Sequence, residues 1–188
     1  LSLLLNFSAC ENRERIINAL AAARNAFKDY SGLEIETTNQ SAKTQSKYIR
    51  RFASVPAFKN TYSEYLPQGE IFFERLKEEL EKAEEYIFME YFTIKEGYMW
   101  STILEILLRK VKEGVDVRLI YDDIGCLFSI PNNYDKQLEK LGIKCEIFNR
   151  FVPVLSSLFN NRSHRKITII DGVVAFTGGL NISDEYIN

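Results

Sequence analysis

The order of strand-like and helix-like segments between residues 69 and 148 restricts the fold of this chain more than any other feature of its sequence. A first helix is predicted to begin near Gly69, because apolar residues recur there every three or four positions. These residues are Phe73, Leu76, Leu80 and Ala83. Residues 86–93 follow as a run with strand character. A second helical stripe runs from Trp100 to Val111, and Gly114 provides the left-handed cap expected after it.

The same alternation continues through residue 148. Residues 115–121 and 143–148 are predicted strands. Between them lies a shorter predicted helix, with Tyr134, Leu138 and Leu141 on its apolar face and Gly142 at its end. The resulting β-α-β-α-β order is typical of parallel strands covered by helices. We therefore predict an α/β fold, and 188 residues suffice for one substantial core.

A tight hairpin is predicted after these elements. Residues 167–170 and 173–176 are apolar runs on either side of Asp171-Gly172, a pair that favours two-residue turns with positive φ. The sheet is therefore predicted to be mixed, with a hairpin added to parallel strands and helices flanking it.

Residues 1–64 have a different character. Apolar residues at helical spacing predict a helix over residues 11–27, and the polar residues 31–46 predict a linker. No apolar run approaches the roughly 20 residues that span a bilayer. The leucines of residues 1–5 are interpreted either as the tail of an upstream spanning segment or as a buried helix end.

Charge and cysteine content narrow the functional classes. A net charge of −2 argues against a protein devoted to nucleic acid, which usually carries a basic excess. Positive charge is nevertheless concentrated around His164, because residues 147–170 include Arg150, Arg162, Arg165 and Lys166 and no acidic residue. The three cysteines form no Cys-x-x-Cys pair, so we expect neither a zinc site nor a disulfide framework, and a reducing compartment fits.

His164 and Lys166 are the strongest candidates for chemistry. If the strand begins near His164, the two side chains share one face, about 7 Å apart along the strand. Such a pair suits a phosphoryl centre, because the ammonium neutralises phosphoryl oxygens while the imidazole attacks phosphorus or protonates a leaving oxygen. Asn181 is expected to donate a further hydrogen bond. Asp171 has the opposite parity, and we expect it to bind backbone amides of its own turn.

A His-x-Lys pair alone is most often a solvated surface pair, and Gly178-Gly179 alone is most often a turn. The whole string is more specific: His164-x-Lys166, four residues, Asp171, six residues, then Gly178-Gly179-x-Asn181. It is similar, without a departure, to the motif of the phospholipase D superfamily. Tyr65 to Asn188 as a whole resembles the first catalytic half of bacterial cardiolipin synthases, also in Pro67-Gln68-Gly69-Glu70, Glu113 to Arg118, Tyr121 to Gly125 and Asn161 to Lys166.

This resemblance implies a phospholipase D-like mixed sheet forming one half of a two-lobed catalytic unit. Residues 65–188 would be the first such domain, incomplete at its carboxyl end, and residues 1–64 a helix and linker following a membrane anchor. The implied activity moves phosphatidyl between two phosphatidylglycerol molecules through a phosphohistidine, with release of glycerol and without metal or cofactor. His164, Lys166 and Asp171 would form the catalytic motif, and Asn181, Gly178 and Gly179 would contact substrate.

The implied partners are phosphatidylglycerol, membrane phospholipid and a second phospholipase D-like half, from the same chain or a homodimer; nucleic acid is not expected. The implied location is the cytoplasmic side of a bacterial membrane. His164 is the only histidine, so the second motif is absent and the chain alone is expected to be inactive. The carboxylate that orients the motif histidine would also lie beyond Asn188, so neither Asp184 nor Glu185 is assigned that role.

The alternatives are a phospholipase or nuclease using the same chemistry with water as acceptor, and a half-domain that only binds phospholipid. Three further features stay open. Asp122 and Asp123 are interpreted equally as ligand-binding acids or helix caps, and Glu90 as a paired or edge carboxylate rather than a site residue. The apolar residues 151–159 are interpreted as core or as a lip that contacts the membrane.

Overall fold

The computed structural model describes residues 35–53, 57–58, 60–150 and 162–187. The chain divides into two compact units, Leu1–Glu64 and Tyr65–Asn188. The predictions for residues 1–5, 11–27 and 151–159 lie outside the described residues. Within them, no helix is long and apolar enough to cross a membrane.

In the first unit, the described residues form helix α1 (Gln40–Ala53). The prediction of a polar linker through residue 46 is therefore wrong from Gln40 onward. Asn39 explains the helix start, because its Oδ1 accepts a hydrogen bond from the backbone N–H of Ala42 at 3.1 Å. Such an N-cap satisfies a backbone donor that the first turn leaves free, so polar residues here open a helix.

The second unit confirms the predicted order of elements. Its described residues form the α-helices α2 (Gly69–Glu81), α3 (Tyr98–Lys112), α4 (Asp123–Cys126) and α5 (Tyr134–Lys140), and a 3₁₀ turn at Asp184–Tyr186. The strands among these residues are β1 (Tyr86–Tyr91), β2 (Asp116–Asp122), β3 (Lys144–Phe148), β4 (Lys166–Ile170) and β5 (Val174–Thr177). They form one sheet in the order β3-β2-β1-β4-β5.

The sheet is mixed, as predicted. Strands β1, β2 and β3 run parallel, β4 is antiparallel to β1, and β5 is antiparallel to β4. Asp171 and Gly172 form the hairpin turn with φ of 52° and 67°, the positive values that this turn requires. Gly114 and Gly142 follow α3 and α5 with φ of 95° and 91°, which confirms both as left-handed helix ends.

One face of the sheet carries the hydrophobic core. Side chains of β1 alternate between half-buried and buried, with Ile87, Met89 and Tyr91 buried. Helix α2 contributes Phe73, Leu76 and Leu80 to the same cluster, and α3 contributes residues that include Trp100 and Leu107. This packing fixes the sheet and therefore the positions of the loops at its two ends.

All candidate site residues except Asp171 lie at one end of the sheet, which we call the site end. It comprises the carboxyl ends of β1, β2 and β3, at Tyr91, Asp122 and Phe148. Because β4 is antiparallel to β1, it begins at the site end, where its first residue, Lys166, pairs with Tyr91. Strand β5 reverses again and brings Thr177 there.

Candidate functional site

His164 lies two residues before the start of the strand that the sequence placed near it. Strand β4 starts at Lys166, because Tyr91↔Lys166 is the last pair of the β1–β4 ladder. β1 ends at Tyr91, so residues 162–165 extend past the last pair of this ladder. His164 is consequently exposed at the site end.

The side chains of His164 and Lys166 nevertheless converge on Phe92, the residue after β1. The His164 ring meets the Phe92 ring edge-on at 4.8 Å between centroids. The Lys166 ammonium lies over the same ring, 5.4 Å from its centroid, within range of a cation–π interaction. The Phe92 ring therefore contacts both residues of the predicted pair.

Lys166 is a buried cation without an acidic neighbour among the described residues. The residue is 5% exposed, and its Nζ donates to the backbone carbonyl of His164 at 3.1 Å. Burial lowers the pKa of the ammonium, because the charged form loses hydration. An ammonium has three donors, and the other two have no acceptor within the described part of the chain. An anion bound here would accept hydrogen bonds from both remaining donors and neutralise the charge of the ammonium.

Asp122, the last residue of β2, supports the fold around the site. Its Oδ1 accepts the backbone N–H groups of Ile124 and Gly125 at 3.0 and 3.1 Å, so it caps α4. The same carboxylate accepts the Ser163 N–H at 3.3 Å and pairs with Arg162 at 3.4 Å. Of the two interpretations, the helix cap is confirmed for Asp122, and its further bonds hold the segment before His164.

Glu90 is a paired carboxylate, as predicted, on the central strand β1 rather than at an edge. Its Oε1 accepts a hydrogen bond from the Ser163 hydroxyl and lies 3.6 Å from Nη1 of Arg165. These two partners are the immediate neighbours of His164. The prediction of a pairing is confirmed, but no local pattern indicated that the partners flank the histidine.

Asn181 also lies at the site end, beside Phe92. Its Oδ1 accepts the Thr93 N–H at 3.1 Å, and its Nδ2 donates to the Tyr186 hydroxyl at 3.4 Å. Gly178 and Gly179 are exposed, and a Cβ at either would meet no atom within 4 Å. Contact of these three residues with substrate stays a prediction.

Asp171 lies at the opposite end of β4 from Lys166, about 17 Å away at the usual rise for a strand. Its carboxylate accepts backbone N–H groups of Glu84, Glu85 and Tyr86 at 2.8, 2.9 and 2.7 Å. Burial alone would raise the pKa of this carboxyl, but the three hydrogen bonds outweigh it and lower the pKa. The prediction that Asp171 binds amides of its own turn is wrong, because it anchors the turn to the segment before β1.

Asp184 has a similar structural task. It accepts the N–H groups of Tyr98 and Met99 at 2.8 and 2.7 Å and so caps α3.

Cys126 and Cys145 are buried thiols, and burial raises their pKa to about 11 and about 12. Within the described residues, no three His, Cys, Asp or Glu side chains are grouped as a metal site requires.

Two residues of this site, Phe92 and Ser163, were not predicted as site residues. Phe92 was considered only as part of a strand, and Ser163 only as part of a family phrase. The periodicity of a strand indicates the face of a residue, but not what happens beyond the last ladder pair. The polar residue directly before His164 was the one available signal.

A mixed sheet that presents a histidine and a buried lysine at its site end defines a phospholipase D-like domain. The family model described as "Cardiolipin synthase, PLD-like domain" matches residues 76–188, and the chain belongs to this family.

Similar proteins include an uncharacterized protein of Streptococcus mutans, 49% identical over 143 residues, which cover 76% of this chain and 31% of that protein. A protein named cardiolipin synthase 2, from Bacillus anthracis, is 35% identical over 86% of this chain and 32% of its own length. The chain thus spans about a third of these relatives. A solved phospholipase D family member, Nuc from Salmonella typhimurium, is 19% identical with a TM-score of 0.44, covering 60% of this chain and 65% of that one.

Proposed function

We propose that this chain supplies one half of the active site of a cardiolipin-synthase-like phosphatidyltransferase. The observation that carries the proposal is Lys166, a cation that is 5% exposed, lacks a carboxylate among the described residues and lies beside an exposed imidazole. Burying a charge is costly unless a counter-charge meets it. A phosphodiester would provide that counter-charge and present phosphorus to His164.

The proposed reaction has two displacements. One imidazole nitrogen attacks phosphorus of a first phosphatidylglycerol, and the bond from phosphorus to the glycerol oxygen breaks as a second imidazole, from another half, donates a proton. The hydroxyl of a second phosphatidylglycerol then attacks the phosphohistidine and returns its proton to that second imidazole. The products are cardiolipin and glycerol, and both histidines are regenerated.

Each described group has a task in this scheme. His164 is either the nucleophile or the proton donor. Lys166 stabilises the negative oxygens of the phosphoryl group as a point charge, and Asn181 adds a polar contact at the same end of the sheet. Asp171 stabilises the hairpin from the far end of β4, so its effect on catalysis is indirect.

Charge pairing favours a lipid phosphodiester over nucleic acid. Arg150 pairs with Asp135, Arg162 with Asp122 and Arg165 with Glu90. A nuclease needs unneutralised cations along the track of a polyanion, whereas carboxylates accompany every arginine around Lys166. Because the substrate is a bilayer lipid, we place the enzyme at a bacterial membrane, with the site on its cytoplasmic side.

The test is a transfer assay with the longer protein that contains this chain and vesicles of phosphatidylglycerol. Cardiolipin and glycerol should appear in equal amounts, and His164→Asn should abolish both. Release of phosphatidic acid instead would identify a phospholipase with water as acceptor. Turnover that survives in His164→Asn would show that the half-site described here takes no part.

A further inference from the structure

The segment that carries His164 is held to the sheet by side chains rather than by strand pairing. Residues 162–165 precede the last ladder pair, Tyr91↔Lys166, and have no strand partner among the described residues. Two carboxylates bind this segment, in addition to the bonds from Arg162 to the Asn149 carbonyl and from Lys166 to the His164 carbonyl. Asp122 holds Arg162 and the Ser163 N–H, as described above, and Glu90 holds the side chains on both sides of His164.

The contacts alternate along this segment. Ser163 and Arg165 meet Glu90, whereas His164 between them meets the Phe92 ring at 4.8 Å. A residue whose two neighbours are held on one carboxylate has its own side chain directed away from that carboxylate. The bonds to Glu90 therefore set the direction in which the imidazole points.

The position of Glu90 makes a simple packing role a poor explanation. It lies on the central strand and pairs with the apolar residues Ile120 and Ile167, and its side chain is 22% exposed. Glutamate is disfavoured in strands, where branched apolar residues pack better. The carboxylate at this place serves its two bonds rather than the sheet.

We propose that Glu90 is a positioning residue, which orients the His164 imidazole by holding Ser163 and Arg165. What the oriented imidazole does rests on the proposed function; how it is oriented does not. A shift of about 1 Å at a reacting group costs about 10²-fold in rate. In the transfer assay, Glu90→Ala should therefore lower kcat about 10²-fold while KM changes less than about twofold.

The orientation itself can be measured, because His164 is the only histidine of the chain. A ¹H–¹³C correlation spectrum of the 188-residue chain with labelled histidine shows the signals of this one imidazole. The ring current of Phe92 should change the chemical shifts of its ring protons. Phe92→Leu calibrates the loss of this effect. Glu90→Ala should move the imidazole signals most of the way to the Phe92→Leu positions, and Glu90→Gln, which keeps an acceptor for Ser163, should move them less.

Glu146→Ala is the matched control, because Glu146 lies in the same cross-strand row, opposite Ile120 on the side away from Glu90. Its imidazole signals should coincide with wild type. Should Glu90→Ala fail to fold, the double variant Ser163→Ala with Arg165→Met removes the same contacts and should give the same shift. Wild-type imidazole signals in a folded Glu90→Ala would overturn the proposal. The spectra decide positioning even if the wild-type protein makes no cardiolipin, so the two proposals fail separately.

Discussion

Replacing Lys166 with Met should lower the rate of transfer, while the free energy of unfolding stays the same or rises. Methionine keeps the length and apolar stem of lysine, so it fits beside Phe92, but it lacks the ammonium that lies 5.4 Å from that ring. Loss of a preorganised electrostatic donor lowers kcat about 10²- to 10³-fold, or about 3–4 kcal/mol of transition-state stabilisation. The transfer assay on phosphatidylglycerol vesicles measures this loss.

The free energy of unfolding should stay the same or rise in Lys166→Met. Burial lowers the pKa of Lys166 in the folded chain, so the charged form is penalised there relative to the unfolded chain. That penalty is complete at neutral pH and fades as pH rises through the lowered pKa toward the ordinary 10.5. The stability advantage of the Met variant should fade over the same alkaline range, as followed by urea unfolding.

Lys144→Met provides the control. Lys144 is the first residue of β3, and 67% of its side chain is exposed. Its ammonium lies 2.8 Å from the Asp116 carboxylate on β2. Its loss should leave kcat unchanged and stability within about 1 kcal/mol of wild type. The reasoning is refuted if Lys166→Met retains normal turnover, or if it destabilises the fold as strongly as the loss of a paired buried charge.

Two further substitutions test the supporting structure, and an assay of the unchanged chain tests the half-site. Asp171→Ala should lower the free energy of unfolding by about 1–3 kcal/mol, because three backbone N–H groups lose their acceptor. The pKa of this carboxyl is lowered in the folded chain, so its contribution to wild-type stability should be lost as pH falls through the acid range. Acid unfolding measures this loss. Asp122→Ala should cost a similar amount through loss of the α4 cap, and, unlike Asp171→Ala, it should also displace the His164 imidazole signals. The 188-residue chain alone should form no cardiolipin from phosphatidylglycerol, because it supplies one imidazole where the scheme needs two; clear turnover by a monomer, checked by light scattering, would contradict the half-site.

The sequence predicted what local patterns encode. Helical spacing located α2 and α3, and Asp171-Gly172 located the hairpin, because side-chain periodicity and turn chemistry act over a few residues. The motif named His164 and Lys166, which the fold does bring together on Phe92.

The remaining features depend on residues distant in the chain. Asp171 binds the N–H of Glu84, which is 87 positions away, so spacing around the turn could not reveal that partner. The start of β4 depends on where β1 ends, at Tyr91, and not on any property of His164. The error at α1 had a local cause: the N-cap Asn39 lies within a polar stretch that also suits a linker.

The most direct test of the central claim is to trap the covalent intermediate. The longer protein is incubated with phosphatidylglycerol labelled with ³²P, quenched, digested and searched for an acid-labile phosphoryl adduct, with His164→Asn in parallel. We expect an adduct on His164, or an adduct on a histidine of the second half that fails to turn over in His164→Asn. Normal cardiolipin formation by His164→Asn, with no adduct in either protein, would contradict it.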